Sequence, residues 1–122
     1  MTKGAVLYEF FNRFLPAYPS ASTPEDVQFP YITYEYKVAD WESEDVELSV
    51  SVWYHTESEA IPNAKANEIA RAIKEESPLT IPCDGGRIWF KRATLITGVP
   101  DDTGPGIKLR VLNVTVQYLT HY

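Results

Sequence analysis

The residues best suited to nucleophilic or metal chemistry are one cysteine, Cys83, and two histidines, His55 and His121. A thiol nucleophile needs a neighbouring base and an orienting group, and no spacing in the sequence places either histidine beside Cys83. The three residues also lack the spacing of a zinc site. We interpret Cys83 as a small buried residue at the end of a strand and the histidines as surface residues. The sequence therefore predicts no catalytic residue, no metal and no cofactor.

Two turns rich in glycine and aspartate were the next candidates for a binding site. Residues 100–106, Pro-Asp-Asp-Thr-Gly-Pro-Gly, lack the spacing of a calcium loop and its terminal glutamate. Neither this turn nor Asp84-Gly85-Gly86 is followed by a helix or by the Lys-Ser/Thr pair of a phosphate-binding loop. We interpret both as solvated turns.

The composition limits the class of partner. The chain has 122 residues, a hydrophobic share of 44% and a net charge of −6, which suits a single domain spanning residues 1–122. The acidic charge and the lack of a Lys/Arg run disfavour direct recognition of nucleic acid and binding to an anionic membrane. A single cysteine excludes an internal disulfide. The absence of a signal peptide or a ~20-residue apolar segment predicts a protein kept in the cytoplasm where it is made.

Hydrophobic periodicity predicts the first half of the fold. An apolar stripe predicts a helix over residues 5–15, ended by Pro16. Residues 16–30, which hold four prolines, read as a long loop. Aromatic and β-branched residues predict a strand over 31–38, and strict alternation predicts a second over 46–54 that pairs with it in a hairpin.

The second half is predicted to hold one more helix, over residues 60–75, and three strands. Strands 79–83 and 87–92 flank the hairpin turn Asp84-Gly85-Gly86, residues 94–99 continue the second of them, and the last strand covers 107–120. Its alternation slips once near Val111-Leu112, which indicates either a β-bulge or a long central strand with both faces partly covered. The expected fold is α+β, with an antiparallel or mixed sheet of about four to six strands and two main helices packed on it. The predicted core is Phe10, Phe14, Val50, Val52, Ile69, Ile73, Val114 and Val116.

The order of these segments resembles a family of small structural proteins, the tail terminators of long-tailed bacteriophages and prophages. The segments that carry the resemblance follow the N-terminal helix and its proline-rich loop in this order: Phe29-Pro30-Tyr31-Ile32-Thr33-Tyr34, the alternating strand at 46–54, one long helix, the hairpin at 84–92, and a final strand ending Tyr118-Leu119-Thr120. The resemblance implies a homohexameric ring that caps the tail tube at the head–tail joint. Its implied partners are further copies of the chain, the tail tube protein and the head connector. It also implies a place in the virion neck, after assembly in the bacterial cytoplasm, and no cofactor or catalysis.

Several residues are candidates for the contacts of such a ring. Aromatic residues on the predicted strands exceed what one small core needs, and aromatic side chains suit interface centres. The two long loops, 16–30 and 98–106, add further aromatic and acidic groups. The predicted interface residues are Tyr18, Phe29, Tyr34, Tyr36, Trp53, Asp101 and Asp102.

Three alternatives stay open at this point. Other phage neck proteins, such as head-closure and adaptor proteins, have a similar size and acidity. A soluble adaptor outside any virus fits the same composition. The alternative from another class is a small hydrolase or nucleotide-modifying enzyme that uses Cys83 with His55 or His121.

Overall fold

The computed structural model describes residues 2–36, 45–96 and 106–120. Within these residues the chain forms two helices, one short 3₁₀ turn at Ser20–Ser22 and a single sheet of six strands. The elements are α1 (Lys3–Asn12), β1 (Ala17–Pro19), β2 (Tyr31–Tyr36), β3 (Val46–His55), α2 (Ala60–Glu75), β4 (Leu79–Cys83), β5 (Gly86–Ile96) and β6 (Ile107–Thr120). The α+β fold, with two helices on a sheet of up to six strands in a single domain, is confirmed.

The last strand lies in the middle of the sheet. The strand order is β1-β2-β3-β6-β5-β4, and every neighbouring pair is antiparallel except β1 and β2. β6 pairs with β3 from Val46↔Val116 to His55↔Ile107 and with β5 on its other side. It therefore joins the β2–β3 hairpin to the β4–β5 hairpin.

Both helices pack on one side of the sheet, which we call the inner face. Alternate residues of β3 point to this face, and all four of its apolar side chains from Val46 to Val52 are buried. From α1, Phe10 packs on Phe90 with ring centroids 4.4 Å apart, and from α2, Ile69 and Ile73 are buried in the same core. We call the opposite side, which carries Trp53, the outer face.

Side-chain caps set where each helix begins. The Thr2 hydroxyl accepts a hydrogen bond from the Ala5 amide at 3.1 Å, and the Ser58 hydroxyl accepts from the amides of Ala60 and Ile61 at 3.2 and 3.3 Å. These bonds satisfy amides that have no partner within the helix.

The helix α1 ends earlier than predicted, and the predicted loop 16–30 contains a strand. After Asn12 the chain turns, and the Asn12 side chain bonds the backbone of Ala17 in both directions, at 3.2 and 3.4 Å. The Pro16 carbonyl then accepts from the Ile32 amide at 2.8 Å. These contacts hold β1 against β2, so part of the predicted loop belongs to the sheet.

Of the two explanations for the slip in the last strand, the structure confirms the central strand with both faces covered and excludes the β-bulge near Val111-Leu112. β6 pairs with β3 without interruption, and the register shift lies in β5 between Phe90 and Arg92. The aliphatic residues around Val111-Leu112 that suggested a slip lie on opposite faces of one regular strand, because both faces of this central strand carry apolar side chains.

Seven of the eight predicted core residues are buried, and Phe14 is partly buried at the rim of the core. Its ring meets that of Phe10 edge to face at 5.5 Å. Phe14 lies beyond the end of α1, which explains why it packs beside the core instead of within it.

Candidate interaction surface

The outer face carries a row of partly exposed aromatic and aliphatic side chains. The register of β2, β3 and β6 places Tyr31, Trp53 and Leu109 side by side on this face. In β1, Tyr18 pairs with Thr33 and so lies on the same side. Both helices pack on the inner face, so the outer face is formed by side chains of the strands and of the segment before β2.

At one end of this face four rings form an aromatic cluster: Phe29, Tyr31, Trp53 and His55. Tyr31 stacks on Trp53 with centroids 6.0 Å apart and planes 11° from parallel. Phe29 contacts Tyr31 and His55 at 5.3 and 5.8 Å and remains 40% exposed. Partial burial raises the pKa of the Tyr31 hydroxyl. The cluster is preformed yet open to solvent on one side, which is the form of an interface centre.

A hydrogen bond fixes the orientation of the largest ring. The Trp53 indole N–H donates to the Thr33 hydroxyl at 3.0 Å, across the β2–β3 hairpin. Side chains held in one orientation before binding lose less conformational entropy when a partner arrives. Trp53 is therefore a pre-oriented anchor.

The opposite end of the outer face is polar. Glu47 accepts hydrogen bonds from the Asn113 amide at 2.5 Å and the Thr115 hydroxyl at 3.0 Å. Nearby, Lys91 pairs with Asp45 at 3.1 Å, and its ammonium lies 4.8 Å from the centre of the Trp89 ring. These groups bond one another within the chain, apart from the buried Asn113 Oδ1, which has no hydrogen-bond partner among the described residues, whereas the aromatic end presents apolar surface outward.

The structure brings three of the predicted interface residues to this face, Tyr18, Phe29 and Trp53, and it corrects a fourth. Tyr34 was predicted to offer exposed aromatic surface, but it is 3% exposed and packs on Phe11 with centroids 5.0 Å apart. It lies on the inner face because it alternates with Tyr31 and Thr33 along β2. Tyr34 is a core residue, and the prediction for it is wrong.

The remaining predicted residues lie at the limits of what the structure describes. Tyr36 is described through its backbone, which pairs with Leu48, and its side chain lies outside the described part. Asp101 and Asp102 lie outside the described residues, as do residues 37–44 and 97–105, which include parts of two predicted strands.

Sequence reasoning missed Tyr31 and His55 as members of the surface. The signal that identifies them is the hairpin register, since Tyr31 pairs with Trp53 and His55 follows two residues later on the same face. Without that register, the strand 31–36 has aromatic residues on both faces and neither is marked as the exposed one.

The geometry separates the residues of the proposed cysteine–histidine pair. Cys83 pairs with Gly86, which pairs with Thr120 at one end of β6, whereas His55 pairs with Ile107 at the other end. Thirteen residues of extended strand separate those positions, roughly 40 Å at about 3.3 Å per residue. Cys83 and His55 of one chain therefore cannot form a dyad, and His121 lies outside the described residues.

Two further properties of the described residues concern metal binding and membrane spanning. They contain no group of three or more His, Cys, Asp or Glu side chains placed to hold a metal ion. No helix within them has both the length and the apolar character needed to cross a membrane.

No model of a protein family matches the chain, and no curated protein matches it.

Proposed function

We propose that this chain is a structural subunit of a phage tail, a tail terminator that works as a homohexameric ring between the tail tube and the head connector. The observation that carries the proposal is the aromatic cluster on the outer face, a preformed apolar surface of the kind that subunit contacts bury. The order of segments described above, which resembles that of tail terminators, supports the specific assignment.

In a closed ring, one patch on each subunit contacts a different patch on the next subunit. The sheet offers such non-equivalent surfaces, since one edge is the short parallel strand β1 and the other is the β4–β5 hairpin. The aromatic end of the outer face, formed by Phe29, Tyr31, Trp53 and His55, lies on the β2–β3 side. In the proposed ring these surfaces contact different parts of the neighbouring subunit.

The test is the size and shape of the purified protein. Native mass spectrometry at tens of micromolar is expected to show six copies, and negative-stain electron microscopy is expected to show rings with a central hole. Incubation with tail tubes is expected to place these rings at one tube end. A strictly monomeric protein, with or without tail tubes, would contradict the proposal. Rings that bind heads in preference to tails would instead assign the chain to a head-closure role.

Replacement of one segment tests ring formation and attachment to the tail separately. Exchange of residues 100–105, which include Asp101 and Asp102, for a Gly-Ser linker is expected to leave the ring intact and to reduce attachment to tails. The physical reason is that an acidic segment steers a partner with a basic patch. The same exchange should also reduce the salt dependence of attachment.

A further inference from the structure

Over about half of its length, one edge of β5 is not paired with any strand of the described residues. β4 pairs with β5 only as far as Leu79↔Phe90, while β5 continues to Ile96. Among the described residues, no strand pairs with this edge over residues 91–96. Leu95 in this stretch is 38% exposed. A free edge offers a row of backbone donors and acceptors to an added strand.

The free edge lies beside α2, and the two form a groove of about 530 Å³, which we call the edge groove. Its floor is apolar and includes Ala70, Ile73 and Ala93. Ala70 and Ile73 belong to α2, and Ala93 belongs to β5, so helix and strand both line the groove. A strand added along residues 91–96 of β5 would enter this groove beside residues 91–93.

The edge groove is basic although the chain is acidic. Four cationic side chains line it, Arg71, Lys74, Lys91 and Arg92, together with one carboxylate, Glu75. Lys91 pairs with Asp45. Within the described chain, Arg71, Lys74 and Arg92 have no acidic side chain at ion-pair distance. Most other described lysine and arginine side chains form an ion pair with a carboxylate, and these three differ from them in having none.

These cations flank the free edge from both sides. Arg71 and Lys74 are one turn apart on α2, which packs on the inner face. Arg92 pairs with Thr115, which is an outer-face position on β6. An extended acidic segment in the edge groove would therefore meet positive charge on either of its faces.

We propose that the edge groove binds residues 40–44 of a second copy of this chain, paired as an added strand along residues 91–96 of β5. The segment reads Asp40-Trp41-Glu42-Ser43-Glu44, with a carboxylate at every second position. In an extended strand those three carboxylates share one side, where they face Arg71 and Lys74, and Trp41 and Ser43 face the side of Arg92. The proposal rests on the proposed ring, for which it supplies one heterologous contact.

The choice of a second copy follows from the proposed ring, in which one patch of each subunit contacts a different patch of its neighbour. The free edge with its three cations is one such patch, and the acidic segment is its complement in charge.

Charge reversal tests the contact. R71E/K74E and E42K/E44K are each expected to lose the oligomer in native mass spectrometry. A 1:1 mixture of the two variants is expected to restore it, because each groove then meets a segment of opposite charge. D101K/D102K is the matched control, with the same charge change on the other acidic segment, and it is expected to keep the oligomer. An intact oligomer in R71E/K74E would overturn the proposal and leave the proposed ring in place.

Cross-linking tests the geometry and separates the two proposals. In a Cys83→Ser background, Ser43→Cys protein mixed with Thr94→Cys protein is expected to form a disulfide-linked pair under mild oxidation. A cross-link that closes only within one chain carrying both cysteines would overturn the proposal.

If the parent protein is monomeric, which would contradict the ring, a fluorescent peptide of residues 38–46 still tests the groove. By fluorescence anisotropy, the peptide is expected to bind the parent at least ten-fold more tightly than R71E/K74E. Equal affinity for both would overturn the assignment of the groove.

Discussion

Cys83 ends β4 with its side chain 9% exposed, and burial raises the pKa of its thiol. A raised pKa leaves less thiolate at pH 8 than in an exposed cysteine, and thiolate is the reactive form. We expect a thiol reagent to modify Cys83 much more slowly in the native protein than in urea. We also expect Cys83→Ser to cost about 1 kcal/mol of unfolding free energy and to leave assembly unchanged. Equal rates in native buffer and in urea would contradict this picture.

Two glycines are expected to respond to alanine in opposite directions. A Cβ on Gly86 would lie 2.0 Å from the Leu119 carbonyl oxygen, a contact with backbone that cannot move aside. Among the described residues, a Cβ on Gly4, in α1, would meet only the Thr2 hydroxyl, at 4.0 Å. Gly86→Ala should therefore lower the midpoint of thermal unfolding strongly or prevent folding. Gly4→Ala should stabilise the protein by about 0.5–1 kcal/mol, because alanine restricts the unfolded chain and favours the helix.

Individual side chains also show where sequence reasoning reaches its limit. In β3 every inner-face residue from Val46 to Val52 is aliphatic, so the alternation alone identified the buried side. In β2 tyrosines occur on both faces, and periodicity cannot say which is buried. Tyr34 is buried because α1 brings Phe11 against it, a tertiary contact that local patterns do not encode.

At the level of elements, local signals predicted most helices and strands, and pairing between distant segments was the part they missed. The turn Asp84-Gly85-Gly86 marked the β4–β5 hairpin correctly, and Gly85 has a positive φ of 77°, which glycine adopts without steric cost. The strand β1 is three residues long and forms through bonds to Asn12 and Ile32. Nothing in the sequence Ala-Tyr-Pro indicates a parallel strand.

An ionic contact ties the start of α2 to β6 and makes stability depend on pH. Glu59 binds both Lys108, at 3.1 Å, and Arg110. These hydrogen bonds hold the pKa of Glu59 below its ordinary value. A carboxyl whose pKa is lower in the folded state contributes stability above its unfolded pKa. That contribution is lost as the pH falls through the folded value.

We therefore expect Glu59→Gln to be less stable than the parent at pH 7 and to match it at low pH. The measurement is urea denaturation of both proteins between pH 7 and pH 2.5, and the difference should begin to shrink below the ordinary glutamate pKa of about 4.3. Glu76→Gln is the control, since Glu76 pairs with one cation, Arg13, which is 45% exposed, whereas Glu59 pairs with two cations, Lys108 and Arg110, which are 25% and 12% exposed. The effect of Glu76→Gln should be smaller, because an ion pair with both partners exposed contributes little. A constant difference between parent and Glu59→Gln across the pH range would exclude this mechanism.

For the molecule as a whole, the order of strands in the sheet determines which side chains lie together on the outer face. β6 is last in the chain yet central in the sheet, and this placement sets Leu109 beside Trp53 on the outer face. The aromatic cluster joins Phe29 to His55 across the β2–β3 hairpin. The sequence identified Phe29 and Trp53 separately, but their assembly into one surface depends on strand register, which composition and periodicity do not specify.

The aromatic cluster is expected to govern association more than folding. Tyr31→Thr and Trp53→Thr remove partly exposed rings and introduce threonine, a β-branched residue that strands favour. We expect each to weaken self-association at least ten-fold in sedimentation velocity, because central aromatic residues typically contribute about 2 kcal/mol or more to an interface. The unfolding midpoint should fall by only a few degrees. Tyr8→Ala and Ile61→Ala are the controls, since both side chains are about half exposed on helices away from the cluster. Equal weakening by cluster and control variants would mean that the subunit contact lies elsewhere on the molecule.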